Sequence, residues 1–473
     1  MKKIYNLALA AVVLLCVTAC RNGGTATSFV QTDGTHFVLD GQPYYYIGTN
    51  MWYGAVLASE GRGGDRDRLA RELDALDQMG VRNLRILVGA EGEERARKVL
   101  PVLQTEPGVY NDTILAGLDW LLVEMGKRDM KAVLYLNNSW SWSGGYSTYL
   151  KWAGFNDEEV LDSIAWTDWL AYGANYARCR EAQQLFFQHV DFIVSRTNRY
   201  TGLPYSQDPT IMAWQVGNEP RAFDPSPEVK EAFAEWVLET CHRIKSIDPN
   251  HLVSIGSEGL EGSERDADLY MRIHADSCVD YLTLHIWPQN WQWVKRGTVA
   301  EGTDVALIEE QLRPVKKNTK HYIRQHDVMA QRLQKPMVIE EFGYPRDANA
   351  YDPTSTTVAK DQYYGFMFGQ VAASARGGGA LAGCNFWGWN GEARMVHLWW
   401  QPYDPYMADP AQEEQGLYGV FDSDSTCGVI EEAVRRVDES LRANAKDEDN
   451  DEDDDEEEDD DDLEEIEGGF EGF

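Results

Sequence analysis

The sequence predicts an α/β fold built as a (β/α)8 barrel, and two observations support this class. Between Tyr44 and Lys446, eight short apolar runs alternate with longer segments of helical period, which is typical of parallel strands joined by crossover helices. Polar residues follow several runs, at the strand ends where barrel enzymes carry their catalytic groups. A doubly wound sheet is the alternative, but eight strands over about 400 residues favour the closed TIM barrel.

A short β-hairpin is predicted to precede the barrel, because Phe29–Gln31 and Phe37–Leu39 flank an Asp33-Gly34 turn and an Asp40-Gly41 turn follows. The barrel strands are predicted at Tyr45–Asn50, Asn83–Val88, Ala132–Asn137, Ile211–Val216, Leu252–Gly256, Tyr281–His285, Met337–Glu341 and Ala380–Trp387. Helices are predicted at Asp67–Met79, Leu115–Arg128, Trp169–Arg196, Glu228–Ile247, Leu307–Leu333, Lys360–Ala375 and Val429–Lys446.

The first 20 residues are predicted to be a targeting segment. Two lysines precede the apolar run Leu7–Val17, which is too short to span a bilayer and is typical of a secretory signal. The sequence Val17-Thr18-Ala19-Cys20 resembles the lipobox of bacterial lipoproteins, so we expect a lipid anchor on Cys20. The expected location is extracytoplasmic, on the outer membrane or cell surface, with plain secretion as the alternative. Residues 21–28 are small and polar and would form a tether.

The charge is strongly negative and uneven along the chain. The formal net charge is −35, and 19 of the 78 acidic residues lie between Asp447 and Glu471, where no basic residue occurs. Such a segment repels itself and buries little apolar area, so residues 447–473 are predicted to be a disordered tail after a catalytic domain at 29–446. The acidic balance argues against nucleic acid as a partner, because phosphate binding needs clustered Lys and Arg.

The cysteine and histidine patterns indicate no metal. Apart from Cys16 and Cys20, five cysteines are widely spaced without a C-x-x-C pair, so neither a disulfide framework nor a zinc site is predicted, and one or two bridges stay open. None of the nine histidines belongs to an H-E-x-x-H motif. We therefore expect no metal and no cofactor.

Two glutamates end apolar strands of the predicted barrel. Glu219 follows the fourth strand in Trp214–Arg221, and Glu341 ends the seventh in Pro336–Gly343. A carboxylate after an apolar run has to lie at the barrel mouth or be buried at a cost of several kcal/mol. Two such groups facing each other about 5 to 5.5 Å apart are the apparatus of retaining glycoside hydrolysis. Structural ion pairs with arginine are the alternative.

The residues around these glutamates resemble a known family. Asn218-Glu219-Pro220 and Glu341-Phe342-Gly343 are similar to the acid/base and nucleophile signatures of glycoside hydrolase family 5. Four further motifs resemble its endo-β-1,4-mannanase branch and span nearly the whole barrel: Gly48-Thr49-Asn50, Leu136–Trp140 with Gly144-Gly145 and Tyr149, Gly256–Gly259, and Phe421–Thr426.

The resemblance implies that Glu219 is the general acid/base and Glu341 the nucleophile. Glu340 is the adjacent candidate, but side chains alternate along a strand, so we expect it to point to the opposite side from Glu341. Asn218 matches the asparagine that binds the 2-hydroxyl of the cleaved sugar. Arg85 matches the arginine that keeps the nucleophile ionised, because a nearby cation lowers a carboxylate pKa.

The other substrate-binding residues are implied by the same resemblance or by their place after strands. His285 matches an active-site histidine, Trp387 the platform under the cleaved sugar, and Arg221 an arginine on the leaving-group side. Trp287 stands where many family members have tyrosine, which puts that contact with the nucleophile in doubt. Trp52, Asn137, Trp140, Trp142, Trp291 and Trp293 complete the candidates.

The predicted function is that of a retaining endo-β-1,4-mannanase acting on mannan, glucomannan or galactomannan, as a monomer. In this prediction the pKa of Glu219 is raised by Glu341 and by partial burial. Three alternatives stay open: an endo-β-1,4-glucanase, an exo-acting β-mannosidase, and a surface glycan-binding lipoprotein without catalysis.

Overall fold

Eight parallel strands form the centre of the computed structural model, which describes residues 28–95, 97–155, 166–402 and 404–451. The barrel strands are β4 (Tyr46–Asn50), β5 (Asn83–Leu87), β8 (Lys131–Tyr135), β9 (Ile211–Gln215), β10 (Leu252–Ser254), β11 (Leu282–Ile286), β12 (Met337–Phe342) and β13 (Leu381–Phe386). Their hydrogen-bonded order is β10-β9-β8-β5-β4-β13-β12-β11. Asp280 N–H donates to the Val253 carbonyl over 2.8 Å and nearly closes the ring. The predicted (β/α)8 barrel is confirmed.

Helices surround these strands, and polar caps fix several of their starts. Asp65 accepts from Arg68 N–H at one helix start, and Asp266 accepts from Leu269 N–H at another. The helices are α1 (Gly54–Leu57), α2 (Arg66–Gln78), α3 (Asp112–Gly126), α4 (Gly145–Trp152), α5 (Trp166–Gly173), α6 (Arg180–Val194), α7 (Pro227–Ile247), α8 (Ala267–Ala275), α9 (Val305–Leu333), α10 (Val358–Gly377) and α11 (Thr426–Asp451).

One predicted helix is divided in the structure. The single helix expected over Trp169–Arg196 is α5, a 3₁₀ turn at Ala174–Arg178, and α6. The ring of Tyr176 in that turn stacks on Tyr146 at 4.0 Å between centroids, and the Gln183 amide donates to the Tyr176 carbonyl. This tertiary packing outweighs the helical periodicity of the segment. The short helices α1, α4 and α8 were not predicted.

The N-terminal segment forms a three-stranded antiparallel sheet instead of a hairpin, with β1 (Gln31–Asp33), β2 (His36–Leu39) and β3 (Gln42–Pro43). The third strand forms because the chain reverses again at Asp40-Gly41. Phe37 packs edge-on against Tyr281, with 5.3 Å between ring centroids, where β11 is about to begin. The sheet therefore lies at the N-terminal end of the barrel strands.

A long segment after β13 crosses the opposite end of the barrel. It begins and ends with a small parallel pair, β14 (Trp389–Gly391) and β15 (Val420–Phe421), and two further short strands, β6 (Gln104–Glu106) and β7 (Val109–Tyr110), pair elsewhere. Trp52 donates its indole N–H to the Ala408 carbonyl over 2.6 Å and attaches the segment to β4. We call residues 392–419 the mouth segment.

Several predictions concern the ends of the chain. The signal segment, Cys20, tether residues 21–27 and tail residues 452–473 lie outside the described residues. Helix α11 ends at Asp451, beyond the predicted Lys446, so the first residues assigned to the tail are helical. Within the described part of the chain, no helix has the length and apolarity to cross a membrane. The five cysteines described there all carry free thiols.

Candidate active site

Glu219 stands just beyond the end of β9, in a backbone conformation held from both sides. Its φ is +50°, in the left-handed region that non-glycine residues seldom occupy. Its N–H donates to the Gly256 carbonyl over 2.9 Å, and its carbonyl accepts from the Ser139 hydroxyl over 2.6 Å. These bonds fix the direction of the side chain, whose Oε2 accepts from the indole N–H of Trp140.

Glu341 lies on β12, on the other side of the opening. Its Oε1 accepts from Arg85 Nη1 over 2.5 Å, and its Oε2 accepts from the Trp287 indole over 3.2 Å. One oxygen of Glu219, one oxygen of Glu341 and a nitrogen of His285 lie within 4.8 Å of one another. This separation of the carboxylates fits the roughly 5 to 5.5 Å of retaining glycosidases better than the wider inverting spacing.

The expectation that Glu340 points to the opposite side from Glu341 is wrong. The pairing of β11 with β12 shifts between Leu284 and His285, so that Leu284 pairs with Ile339 but His285 pairs with Glu341. Glu340 is the extra residue of this irregularity, which interrupts the regular alternation of side chains. Both carboxylates therefore lie within 4.0 Å of Arg85, at 3.9 Å for Glu340 and 2.5 Å for Glu341.

His285 is buried between the carboxylates. Its Nδ1 lies 2.7 Å from Glu219 Oε1 and 3.4 Å from Glu341 Oε2. Burial opposes a charged imidazole, but Glu341, Glu219 and Glu340 outweigh it and raise the pKa of His285 to about 10. The ring is therefore an imidazolium at neutral pH.

The pKa values of Glu219 and Glu341 shift in opposite directions. Burial acts to raise the pKa of Glu219, but the hydrogen bond and charge of His285, with the charge of Arg221, lower it overall. Burial raises the pKa of Glu341, and the charges of His285 and Arg85 offset this only in part. The expectation of a raised pKa for Glu219 is therefore wrong, because it left out the imidazolium.

Arg85 organises the floor of the site from β5. Besides Glu341, its guanidinium donates to Gln215 Oε1 over 2.9 Å, to Asn50 Oδ1 over 3.2 Å and to Asn218 Oδ1 over 3.0 Å. The bond to Asn218 uses the amide oxygen, so the Asn218 NH₂ group is the donor end, and it already donates to Asn138 Oδ1 over 3.4 Å. Arg85 is fully buried and acts by holding groups that substrate would touch.

A cavity of about 510 Å³ opens above this floor and contains both glutamates. Nine of the predicted site residues line it: Trp140, Trp142, Asn218, Glu219, Arg221, Trp287, Trp291, Glu341 and Trp387. Several other lining residues were not predicted as site residues, and they include Glu258, Asn290, Arg296, Trp399, Glu413, Glu414 and Tyr418. Most of the latter belong to the mouth segment, whose position depends on long-range packing.

Five predicted site residues are not among those that line the cavity: Trp52, Arg85, Asn137, His285 and Trp293. Trp52 is buried, packs edge-on against Trp142 at 5.3 Å between centroids, and holds the mouth segment. Asn137 is buried too, and its carbonyl accepts from Asn218 N–H over 2.8 Å. Both support residues that reach the cavity.

Glu258 lines the cavity, and in the sequence only the motif Gly256–Gly259 pointed to it. It follows β10 within Gly256–Gly259, and its Oε2 accepts from both Nε and Nη2 of Arg221. Burial raises the pKa of Glu258 to about 7, although Arg221 lowers it. The Arg221 guanidinium also lies 5.6 Å from the centroid of the Trp140 ring, so this pair forms one wall beside Glu219.

The donor set at the centre fits proton transfer better than metal binding. Glu219, His285 and Glu341 are ligand types for a divalent metal. However, the raised pKa of His285 favours the protonated ring, and Trp140, Trp287 and Arg85 already donate to the carboxylate oxygens.

Comparisons with known proteins agree with this geometry. Residues 27–441 match the family model described as GH family 5 beta-mannosidase-like. A relative from Oryza sativa subsp. japonica, named as a mannan endo-1,4-beta-mannosidase, is 31% identical over 394 residues, covering 81% of this chain and 86% of its own. Mannan endo-1,4-beta-mannosidase 4 of Solanum lycopersicum is 28% identical over 370 residues, covering 76% of this chain and 83% of its own.

Solved structures show the same fold. The glycoside hydrolase family 5 mannosidase from Rhizomucor miehei matches with a TM-score of 0.78 at 30% identity, over 89% of this chain and 100% of its own. The endo-1,4-beta-mannanase from Rhizomucor miehei matches in fold, with a TM-score of 0.61 at 23% identity, over 88% of this chain and 100% of its own. The chain belongs to the β-mannosidase-like group of glycoside hydrolase family 5 and is a glycoside hydrolase.

Proposed function

We propose that the enzyme hydrolyses internal β-1,4-mannosidic bonds of mannans with net retention of configuration. The observation that carries this proposal is the facing pair Glu219 and Glu341, with His285 between them and all three within 4.8 Å. The mannan substrate is supported by the names of the curated relatives. Indole faces at Trp387 and Trp140 supply the apolar surfaces on which sugar C–H groups pack.

In the first step Glu341 attacks the anomeric carbon and forms a glycosyl ester, while Glu219 protonates the departing glycosidic oxygen. Arg85 and Trp287 each donate to Glu341 and hold its two oxygens in place. Trp140 donates to Oε2 of Glu219 and fixes that carboxyl group near the leaving group.

In the second step Glu219 removes a proton from water, which attacks the same carbon and releases Glu341. Two inversions at one carbon give a product with the anomeric configuration of the substrate. The cycle returns both glutamates to their starting forms and consumes only water.

Cleavage from chain ends is the second candidate, because the 30%-identical structure with a TM-score of 0.78 is named a mannosidase. The mouth segment supplies Trp399, Pro410, Glu413 and Tyr418 to one side of the cavity, where a wall would stop a chain from passing through. An endo enzyme releases mixed oligosaccharides at once, whereas an exo enzyme releases mannose or one short product.

The test measures product release by residues 21–473 from glucomannan, galactomannan and carboxymethylcellulose, with the initial product lengths and the anomer formed. We expect short manno-oligosaccharides in the β configuration, with rates lower by at least about 10³ in Glu219→Gln and Glu341→Gln. Glu432→Gln is the matched control, since Glu432 is an exposed residue of α11 that pairs with Arg435.

Other outcomes would replace the proposal. Activity on the cellulose alone would make the enzyme a glucanase, and mannose as the sole first product would make it exo-acting. An α product would exclude retention. Binding of mannan without any release of reducing ends would make the protein a glycan-binding lipoprotein.

A further inference from the structure

Two polar atoms under the catalytic pair have no hydrogen-bond partner among the described residues. They are Nε2 of His285 and Oε2 of Glu340, and they face each other across 3.9 Å. Both side chains are almost completely buried, at 0% and 1% exposure. Unpaired buried polar atoms are costly, so two of them facing each other beside a reaction centre need an explanation.

The carboxylate of Glu340 is held firmly by its surroundings. Its Oε1 accepts from Gln215 Nε2 and, over 3.3 Å, from the Tyr281 hydroxyl. Its carbonyl accepts from Asn50 Nδ2 over 2.8 Å. The remaining oxygen, Oε2, lies 3.9 Å from His285 Nε2 and 3.9 Å from Arg85 Nε. Glu340 therefore directs one carboxylate oxygen toward these two cations.

The ring of His285 is oriented from its other nitrogen and from its backbone. Nδ1 lies 2.7 Å from Glu219 Oε1, and the His285 N–H donates to the Glu258 carbonyl over 3.3 Å. With Nδ1 directed at Glu219, Nε2 has to face Glu340. A small movement of the ring would close the 3.9 Å separation to hydrogen-bond length.

We propose that Glu340 is a positioning residue that holds the Nε2 proton of His285, so that Nδ1 exchanges one proton with Glu219. The inference rests on the proposed function and gives the origin of the proton on the acid. In the exchange the Nδ1–H bond breaks and an O–H bond forms on Oε1 of Glu219. The imidazolium becomes a neutral imidazole that keeps its Nε2–H toward Glu340, and the Glu219 carboxylate becomes the carboxylic acid.

The charges around the ring agree with this role. Burial opposes the imidazolium, yet the three carboxylates raise the pKa of His285 to about 10. The titratable and charged groups that interact electrostatically with His285 or its carboxylate partners include a set in or beside six barrel strands: Arg85, Tyr135, Glu219, Arg221, Glu258, Tyr281, Glu340 and Glu341. Tyr46 and Tyr270 also act on Glu340, and Glu413 of the mouth segment acts on Glu219 and Glu341. Of these, Glu340 is the group that lies at Nε2.

The test is the pH dependence of kcat/KM on mannotetraose. Removing the negative charge beside Nε2 lowers the pKa of the proton that His285 shares with Glu219. The basic limb of the Glu340→Gln profile should therefore move to lower pH by at least about one unit. Glu340→Asp keeps the charge and should retain most of the wild-type basic limb. A basic limb of Glu340→Gln within about 0.3 unit of the wild type would overturn the proposal.

Asp119→Asn is the matched control for the loss of a buried carboxylate. Asp119 on α3 is fully buried, accepts from Arg196 and from the Tyr205 hydroxyl, and lies outside the site. We expect it to lower the unfolding temperature without moving the basic limb. A merely structural role of Glu340 would make Glu340→Gln behave in the same way.

A second measurement needs no substrate. In protein with ¹⁵N-labelled histidine, the His285 signals are those missing from His285→Gln. We expect both nitrogens of His285 to be protonated at about pH 7 in the wild type, and titration at lower pH in folded Glu340→Gln. If the titration of His285 changes in Glu340→Gln but the protein cleaves no β-mannoside, the proposed function is wrong and the pairing of Glu340 with His285 stands. If the wild type hydrolyses β-mannosides but the titration of His285 is unchanged in Glu340→Gln, only the pairing of Glu340 with His285 is wrong.

Discussion

Trp287 donates its indole N–H to Oε2 of Glu341 over 3.2 Å. The sequence placed this contact in doubt, because many family members have tyrosine there. The structure shows that the indole reaches Glu341 as a donor, which is the role that an ionised carboxylate requires. Its ring also packs edge-on against Trp387 at 5.9 Å and Tyr418 at 5.2 Å between centroids.

Replacing this donor should weaken the nucleophile. In Trp287→Phe the ring stays and the hydrogen bond is lost, so we expect kcat/KM to fall by about 10- to 100-fold. A hydrogen bond to the charged form lowers a carboxylate pKa, so its loss raises the pKa of Glu341 and moves the acid limb of the profile to higher pH. Trp287→Tyr, which keeps a donor, should lose less. If kcat/KM has the same pH profile in the wild type and in Trp287→Phe, the indole N–H does not act on Glu341 in this way.

Arg85→Met should impair both stability and catalysis. The substitution leaves Glu340 and Glu341 buried with one cation fewer, and breaking a buried pair typically costs about 3 to 5 kcal/mol. We expect this loss in urea unfolding, together with a fall in kcat/KM of at least about 100-fold. Arg85→Lys restores charge but not the fork that also binds Asn218, so it should recover stability better than activity.

Breaking a second buried ion pair, away from the active site, should lower stability without affecting catalysis. Arg346, which follows β12, donates to both oxygens of Asp424 over 2.7 and 2.9 Å, and both side chains are buried. Asp424→Asn should therefore lower the free energy of unfolding by about 3 kcal/mol. The exposed Glu432→Gln should leave it nearly unchanged. Similar losses in the two variants would refute this difference.

The lipid anchor can be tested in bacterial cells with the full chain. Wild-type protein should incorporate labelled palmitate and sediment with membranes. Cys20→Ser should do neither, because the thiol that carries the lipid is gone. Cys16→Ser, within the apolar run, is the matched control and should stay anchored. Unlabelled wild-type protein in the soluble fraction would favour plain secretion.

The acidic tail should be dispensable for folding and catalysis. Residues 452–473 combine dense negative charge with few apolar side chains, so they have little area to bury. Deleting them should leave the melting temperature and the rate on mannan nearly unchanged. A drop of several degrees would show that the tail packs on the domain.

The sequence predicted the barrel and indicated Glu219 and Glu341 at its strand ends because both features depend on local patterns. An apolar run that ends in Glu219 or Glu341 marks a strand and its functional end together. The side on which Glu340 lies depends instead on how β11 and β12 pair, and that register has no local signal. The mouth segment was missed for the same reason, since its place depends on contacts such as Trp52 with Ala408.

The N-terminal sheet also determines how the enzyme would face its surroundings. Phe29 packs against His251 at 4.9 Å between centroids, and the Tyr45 hydroxyl donates to the Gly379 carbonyl over 3.0 Å. The chain thus enters the domain at the start of the barrel strands, on the far side from Glu219 and Glu341. An anchor at Cys20 would hold the enzyme by its base, with the cleft open toward polysaccharide arriving from outside the membrane.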